Sequence, residues 1–133
     1  MTGVQTCALP ICNEVWRNVY NATASGVDAA LAMTLDGSGN IYITGYAKFN
    51  STATDIVTIK YNAAGVIQWV SSYGFTTDQY EQGNSIVVDA SGNVFVTGQS
   101  DPDSTTNASD DYVVLKYIDA VCCLRYIVYP LFL

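Results

Sequence analysis

The sequence contains no histidine and few basic residues, and both shortages exclude whole classes of function. Its 133 residues include 5 lysines and arginines against 12 aspartates and glutamates, for a net charge of −7. Without histidine, the chain has neither a Ser-His-Asp triad nor a histidine-containing metal cluster. The acidic balance argues against nucleic acid as a partner, because lysine and arginine supply most of the affinity for phosphate backbones. No glycine-rich phosphate-binding loop is present either.

Cysteine is missing from the whole interior of the chain. All four cysteines lie near the ends, at Cys7, Cys12, Cys122 and Cys123. Such pairs would suggest a metal site or disulfides, but histidine is absent and neither end resembles native sequence. We therefore expect no metal site there, and the cysteines leave the redox compartment open.

Both ends differ in character from the interior. Residues 1–11 match the translation of a common sequencing-library adapter with its first GTG codon read as methionine, so we interpret residues 1–12 as an assembly artefact. They lack the basic and long apolar regions of a signal peptide. Residues 121–133 lose the internal repeat and become strongly apolar, which indicates a frameshifted or chimeric tail. Arg125 and Pro130 interrupt that run, which is shorter than the ~20 residues of a membrane-spanning helix.

The interior, residues 13–120, repeats itself. The run DGSGNIYITG from Asp36 matches DASGNVFVTG from Asp89, 53 positions later. The run DIVTIKY from Asp55 matches DYVVLKY from Asp111, 56 positions later, so three extra residues lie in the loop 99–110. Three further pairs share the offset of 53, namely Trp16 and Trp69, Tyr20 and Tyr73, and Asp28 and Glu81. Periods of about this size are typical of propeller arrays.

Each repeat contains short runs of branched and aromatic residues between turn residues, which favours strands over helices. We predict first strands at Leu31–Leu35 and Asn84–Val88, second strands at Ile41–Thr44 and Val94–Thr97, third strands at Ile56–Tyr61 and Tyr112–Ile118, and fourth strands at Val15–Tyr20 and Val66–Ser72. The turns are short, so neighbouring strands should pair antiparallel. In these turns, an aspartate would accept backbone hydrogen bonds and a glycine would supply a positive φ.

Several strands are apolar on both faces, as in Ile41-Tyr42-Ile43 and Val113-Val114-Leu115. A half-exposed strand alternates apolar and polar residues, so both faces of each sheet must be covered. Blades stacked around an axis provide that cover, whereas a two-sheet sandwich covers one face of each sheet. We therefore predict an all-β fold, a β-propeller fragment of about two four-stranded antiparallel blades. Because repeat arrays need about three units, we expect two blades alone to aggregate or remain partly unfolded.

Taken in order, the Asp-x-Ser-Gly-Asn turn, the Asp-(Ile/Tyr)-Val-x-(Ile/Leu)-Lys-Tyr strand and the Gly-x-x-x-Trp element resemble the bacterial SBBP (seven-bladed β-propeller) repeat over residues 13–120. The resemblance implies four-stranded blades and a large parent protein that is secreted or at the cell surface. It implies no catalytic residues, since the motifs describe the scaffold. The positions that we interpret as structural are Asp36, Gly39, Asn40, Gly45, Lys60, Gly65, Trp69, Asp89, Gly92, Asn93, Gly98 and Lys116.

Few residues are candidates for a site. Four carboxylates in one loop could gather around calcium, although such loops are more often simply solvated; they are Asp101, Asp103, Asp110 and Asp111. No other cofactor is expected. Pairs of charges, Asp55 with Lys60 and Asp111 with Lys116, could form a site, but their recurrence in both repeats favours a structural role. Trp16 and Trp69 could stack on sugars, and packing within or between blades is the favoured interpretation.

The function that follows is a non-catalytic scaffold or ligand-binding module of a larger secreted or cell-surface bacterial protein. Loops at one rim would recognise a protein or a glycan, and the remaining blades of the parent chain would be partners.

The alternative is a fragment of a polysaccharide-degrading propeller enzyme, a glycosidase or lyase, with its catalytic residues in missing blades. Acids exist for such chemistry at Asp28, Asp55, Asp78 and Glu81, but nothing pairs any two of them. Differences between the repeats are expected only in the loop 99–110, which favours binding.

Overall fold

Within the residues that the structure describes, the fold consists of seven strands in two sheets. The computed structural model describes residues 13–22, 26–49, 53–74, 80–100 and 111–118. The strands are β1 (Ala29–Leu35), β2 (Ile41–Ala47), β3 (Asp55–Tyr61), β4 (Ile67–Tyr73), β5 (Gln82–Val88), β6 (Asn93–Ser100) and β7 (Asp111–Ile118). Strands β1 to β4 form sheet 1 and β5 to β7 form sheet 2, each antiparallel and in chain order. The described ranges contain no helix, and hence none long and apolar enough to cross a membrane.

The predicted all-β propeller fragment is confirmed, with four strands in one blade and three in the next. One predicted strand is wrong. Val15–Tyr20 forms no ladder with any described strand. A strand exists only through hydrogen bonds to a neighbour, and none of the described strands provides this segment with a ladder partner. An apolar pattern in the sequence does not show whether a neighbouring strand is available for pairing.

Aspartate turns close the first hairpin of each sheet. Between β1 and β2, Asp36 Oδ1 accepts hydrogen bonds from the backbone N–H groups of Ser38 at 2.8 Å and Asn40 at 2.9 Å. Gly39 in this turn has a φ of 78°, which a side chain would strain. The turn between β5 and β6 repeats the arrangement with Asp89, Ser91, Gly92 and Asn93. Each hairpin is therefore set by a local sequence of five residues.

The two sheets pack face to face, and the side chains between them form a core that we term the seam. Sheet 1 contributes Tyr42 and Ile56, and sheet 2 contributes Ile86, Val94 and Val96, all of them buried. Strand β5 lies against β1, β2 and β3 across the seam. One face of each sheet is thus covered by the other sheet, whereas the apolar strands predicted cover on both faces.

The other two faces are covered unequally. On sheet 1, residues 13–22 pack near β3, where Tyr20 and Ala22 contact the buried side chains of Val57, Ile59 and Tyr61, among others. The β1 edge of this face stays open, with exposed side chains at Leu31, Met33 and Leu35. The outer face of sheet 2 exposes Val87, Tyr112, Val114 and Ile118. The described part of the chain therefore presents an apolar surface on each sheet.

In each sheet a glycine lies opposite a β-bulge of the neighbouring strand. The β1–β2 ladder shifts register between Ala30 and Ala32, and Gly45 lies across from this bulge. A Cβ on Gly45 would collide with the backbone carbonyl oxygen of Ala29. Gly98 of β6 faces the corresponding bulge of β5 in the same way. The recurrence of this glycine in both repeats therefore has a steric cause.

We expect Gly45→Ala to destabilise the chain by about 1–3 kcal/mol, because the added methyl group must displace backbone in a packed strand pair. Gly37→Ala is the matched control, since a Cβ there meets nothing within 4 Å. Its effect should stay within about 0.5 kcal/mol. Urea unfolding followed by tryptophan fluorescence, at equal protein concentrations, measures both. Equal midpoints for Gly45→Ala and the parent chain would contradict the steric account.

Candidate functional site at the rim of the seam

A tryptophan from one repeat packs on a tyrosine of the next repeat, and this contact occurs twice. The ring of Trp69 in β4 lies 5.7 Å from that of Tyr117 in β7, between ring centroids. Trp16 stacks on Tyr61 of β3 at 6.4 Å with 23° between the ring planes. These two pairs occupy equivalent repeat positions. Residues 13–22 therefore lie where a preceding blade would place its fourth strand, and both tryptophans pack between repeats, the role that the sequence favoured over sugar stacking.

Each tryptophan–tyrosine pair is accompanied by a second tyrosine and an acid. Burial raises the pKa of Tyr73, and the neighbouring Glu81 and Tyr117 raise it further. Burial also raises the pKa of Tyr20, with a smaller contribution from Asp28. Because Tyr20 corresponds to Tyr73 and Asp28 corresponds to Glu81, the same arrangement is built at both junctions between repeats.

The acids at these junctions join separate chain segments. Asp28 accepts hydrogen bonds from the backbone N–H groups of Ala22 at 2.9 Å and Lys48 at 3.0 Å. Glu81 is fully buried, and its backbone N–H donates to the carbonyl oxygen of Thr54 at 2.8 Å. The Thr54 hydroxyl donates in return to the Glu81 carbonyl oxygen at 3.2 Å. The connection between β2 and β3 is thereby fixed to the start of sheet 2.

Asp55 and Lys60 do not form a paired-charge site. They lie near opposite ends of β3, about 17 Å apart at ~3.3 Å per residue, and their odd spacing puts them on opposite faces. Burial raises the pKa of Asp55. The Lys60 ammonium lies 5.2 Å from the ring centroid of Tyr42, and Lys116 lies 5.4 Å from that of Phe95. The lysine recurs in both repeats because it makes the same cation–π contact.

The two aspartate turns form the walls of a groove of about 580 Å³ at one end of the sheets. Burial acts to raise the pKa of Asp36, but hydrogen bonds from Asn40, Ser38 and Tyr42 outweigh it and lower the pKa to about 2. The pKa of Asp89 is lowered chiefly by the hydrogen bonds of its asparagine, Asn93. These carboxylates are engaged within their own turns, which supports a capping role for them.

A second groove, which we term the rim groove, opens between the sheets at the opposite end and has a volume of about 500 Å³. Its size lies within the range of about 300–1,000 Å³ typical of ligand sites. Gln82 Nε2 donates to Gln99 Oε1 at 2.7 Å on one wall. The groove is lined by Val27, Tyr46, Lys48, Thr54, Tyr80, Glu81, Gln82 and Gln99. It therefore combines amide, hydroxyl and ammonium groups with two aromatic rings.

Sequence reasoning missed the rim groove, and one of its expectations was wrong. The repeats do not differ only in the loop 99–110, because Gln82, which lies outside that loop, replaces Ala29. Gln99, which begins the loop, replaces Tyr46. Both positions place a glutamine amide in the groove wall of sheet 2. A position-by-position comparison of the two repeats, restricted to polar residues beside the connections between strands, would have identified these two positions.

Several candidates from the sequence lie outside the described residues. Among the calcium candidates, Asp101, Asp103 and Asp110 are outside, whereas Asp111 begins β7. Asp78 and all four cysteines are outside as well. In the part of the chain that the structure describes, no group of three or more acidic or cysteine residues could hold a metal ion. Calcium binding by this loop stays a prediction.

The Asp36 carboxyl should titrate near pH 2, and Asn40→Ala should raise its pKa toward the ordinary value of 3.8. The pKa is lower in the folded chain, so this stabilisation is present above pH ~4 and lost as the pH falls toward ~2. A ¹³C NMR titration of the side-chain carboxyls measures the effect. Asn93→Ala is the matched control, because it should raise the pKa of Asp89 and leave Asp36 unchanged. An unaltered Asp36 titration in Asn40→Ala would show that the turn hydrogen bonds are not its cause.

Trp69→Ala should cost about 3 kcal/mol of unfolding free energy, since it removes a large ring from between the sheets. Trp16→Ala should cost less than half as much, because Trp16 is 38% exposed and covers an outer face. Urea unfolding followed by far-UV circular dichroism compares the two without relying on tryptophan emission. A sugar-stacking platform would predict little loss of stability for either variant.

Comparison with known proteins places a repeat across the junction of the two sheets. The family model SBBP, a beta-propeller repeat, matches residues 68–103. The match begins in β4, includes all of β5 and β6, and therefore spans from sheet 1 into sheet 2. No curated protein shows significant similarity to the chain.

Proposed function

We propose that the chain is a non-catalytic β-propeller segment that binds a glycan in the rim groove, as part of a larger secreted or cell-surface bacterial protein. The match to the beta-propeller repeat supports the propeller module itself. The observation that carries the binding role is the rim groove, where polar side chains from both sheets converge between rigid strands. The SBBP resemblance supports a location outside the cell.

The chemistry of the groove favours a ligand rich in hydroxyl groups. Glutamine amides both donate and accept hydrogen bonds, as sugar hydroxyls do, and Gln82 and Gln99 present such amides side by side. Tyr80 is 66% exposed and offers an aromatic ring for the apolar side of a sugar. Lys48 adds a cation that suits an acidic sugar. Tyr46, Gln82 and Gln99 are held on strands, which fixes their geometry.

The hydrogen bonds that Asp28, Asp36 and Asp89 accept from the backbone support a non-catalytic role for this chain. Glycoside hydrolysis needs two carboxyl groups about 5–10 Å apart that flank a substrate. Asp28 accepts hydrogen bonds from two backbone segments, and Asp36 and Asp89 cap their own turns. These three carboxylates therefore hold local structure within the fold.

The direct test is a screen of the labelled chain against an array of neutral and acidic oligosaccharides, followed by NMR titration with the best binder. We expect chemical-shift changes in the groove strands, and Gln99→Ala should weaken binding about tenfold, as expected for roughly 1.4 kcal/mol of lost hydrogen bonding. Ser91→Ala, in the turn at the opposite end, is the matched control and should leave affinity unchanged. Absence of binding at millimolar concentrations, or equal affinity for Gln99→Ala, would reject the proposal.

A further inference from the structure

One basic side chain in the described part of the chain has neither an acid nor an aromatic ring as partner, and it lines the rim groove. Arg17 pairs with Glu14 at 2.6 Å. The ammonium groups of Lys60 and Lys116 lie over aromatic rings, 5.2 and 5.4 Å from the ring centroids. Lys48 makes no such contact with any described residue. Its cation is therefore available to a ligand in the groove.

The fold also fixes the position of Lys48. The residue directly follows β2, and its backbone N–H donates a hydrogen bond to Asp28 Oδ1 at 3.0 Å. Its side chain is half-buried and packs on Gly26, where an added Cβ would lie 2.5 Å from Lys48 Cβ and 2.9 Å from Lys48 Cγ and Cδ. Gly26 thus leaves the space that the lysine stem occupies. Because the stem is already ordered, less side-chain entropy is lost when the ammonium binds a ligand.

The acids beside this lysine do not neutralise it. Glu81 is the one acid among the described lining residues, and no ion pair joins it to Lys48. Glu81 is fully buried, and its charge adds to burial in raising the pKa of Tyr73. Asp28 is engaged by the backbone N–H groups of Ala22 and of Lys48 itself. The accessible charge of the described groove lining is therefore positive.

Neutral donors and acceptors complete the groove wall. Gln82 Nε2 donates to Gln99 Oε1 at 2.7 Å, which leaves the N–H groups of Gln99 as donors and the side-chain carbonyl oxygen of Gln82 as an acceptor. Sugar hydroxyls donate and accept hydrogen bonds, so this amide pair suits a sugar ring. A negative charge on the sugar requires a cation, and Lys48 is the cation of the lining. A ligand that combines hydroxyl groups with one carboxylate therefore matches both parts of the groove.

We propose that the rim groove is selective for glycans that contain a uronic acid, an inference that rests on the glycan site proposed above. The Lys48 ammonium pairs with the carboxylate of the sugar. The amides of Gln82 and Gln99 bind its ring hydroxyls, and the exposed ring of Tyr80 covers its apolar side. Gly26 is a positioning residue, because it acts on the ligand through the lysine stem.

One negative charge per sugar fits this groove better than a more highly charged group. A hydrogen bond between an ammonium and a carboxylate is stronger than a neutral one, so a single lysine distinguishes an acidic sugar from its uncharged counterpart. The chain as a whole carries a net charge of −7 and repels polyanions. A sugar with a single carboxylate gains the contact with Lys48 and meets the least repulsion from the rest of the chain.

The test measures the affinity of the full chain for matched pairs of ligands by NMR titration. Each pair is a short oligosaccharide with one glucuronic, galacturonic or mannuronic acid residue and its methyl ester, which loses the charge and keeps the ring hydroxyls. The chain should bind the acid of at least one pair about tenfold more tightly than the ester. This preference should shrink when the salt concentration is raised from about 0.05 M to about 0.5 M, because screening becomes stronger.

Two substitutions of Lys48 test whether this side chain carries the preference. Lys48→Gln should weaken binding of the acid about tenfold and change the affinity for the ester by less than about twofold. Lys48→Arg keeps the cation and should keep the preference. Lys116→Gln is the matched control, because it removes the same charge from a side chain that lies over Phe95 and outside the groove lining.

Gly26→Ala tests the positioning role. The added methyl group must displace the stem of Lys48, so the preference for the acid should fall at least about threefold while the ester binds as before. Gly37→Ala is the matched control, since a Cβ there meets nothing within 4 Å. Circular dichroism checks the strand content of every variant. An unchanged preference in Gly26→Ala would overturn the positioning role.

The outcomes separate this inference from the proposed glycan site. Equal affinity for every acid and its ester would overturn the inference and leave the glycan site standing. A preference retained in Lys48→Gln would overturn it too, since another group would then bind the carboxylate. Binding of triglutamate as tight as that of the acidic sugars would indicate an acidic peptide as ligand and overturn it. Absence of binding by any sugar, acidic or neutral, at millimolar concentrations would reject the site and the inference together.

Discussion

A β-sheet that is apolar on both faces must be covered on both faces, and this requirement governs the whole molecule. Burial of apolar surface is the main favourable contribution to folding, and each strand here carries branched or aromatic side chains in both directions. Among the residues that the structure describes, the seam alone satisfies the requirement completely. In the seam, Tyr42 and Ile56 of sheet 1 pack in one buried cluster with Val94 and Val96 of sheet 2. The covering segment at residues 13–22 and the exposed surfaces at both ends follow from the same requirement.

The junction between repeats concentrates most of the specific contacts. Trp69 reaches across to Tyr117, and the backbone of Glu81 is fixed to that of Thr54. These contacts hold the two sheets at a defined distance, so the rim groove between them has a defined shape. The site we propose for a ligand is thus a consequence of how one blade is joined to the next, and the SBBP match extends across this same junction.

Features set by neighbouring residues could be predicted from the sequence, whereas features set by distant partners could not. The aspartate turns depend on five consecutive residues, so their hydrogen bonds and positive φ angles agree with prediction. Val15–Tyr20 has a strand-like pattern but pairs with none of the described strands, and a sequence pattern does not show whether a strand has a partner. Asp55 and Lys60 could have been separated from the sequence, because a spacing of five residues places them on opposite faces of a strand. The groove combines residues at the ends of β2, β5 and β6 with residues of the connections beside them, and no single motif contains them.

The central claim is that two consecutive repeats pack face to face through a tryptophan of one and a tyrosine of the next. Nuclear Overhauser effects in the folded chain test this claim most directly. The account predicts strong cross-peaks between the indole protons of Trp69 and the ring protons of Tyr117, whose centroids lie 5.7 Å apart. Cross-peaks from Trp69 to residues of sheet 1 alone, with none to β7, would contradict the packing of the two repeats on which every other conclusion depends.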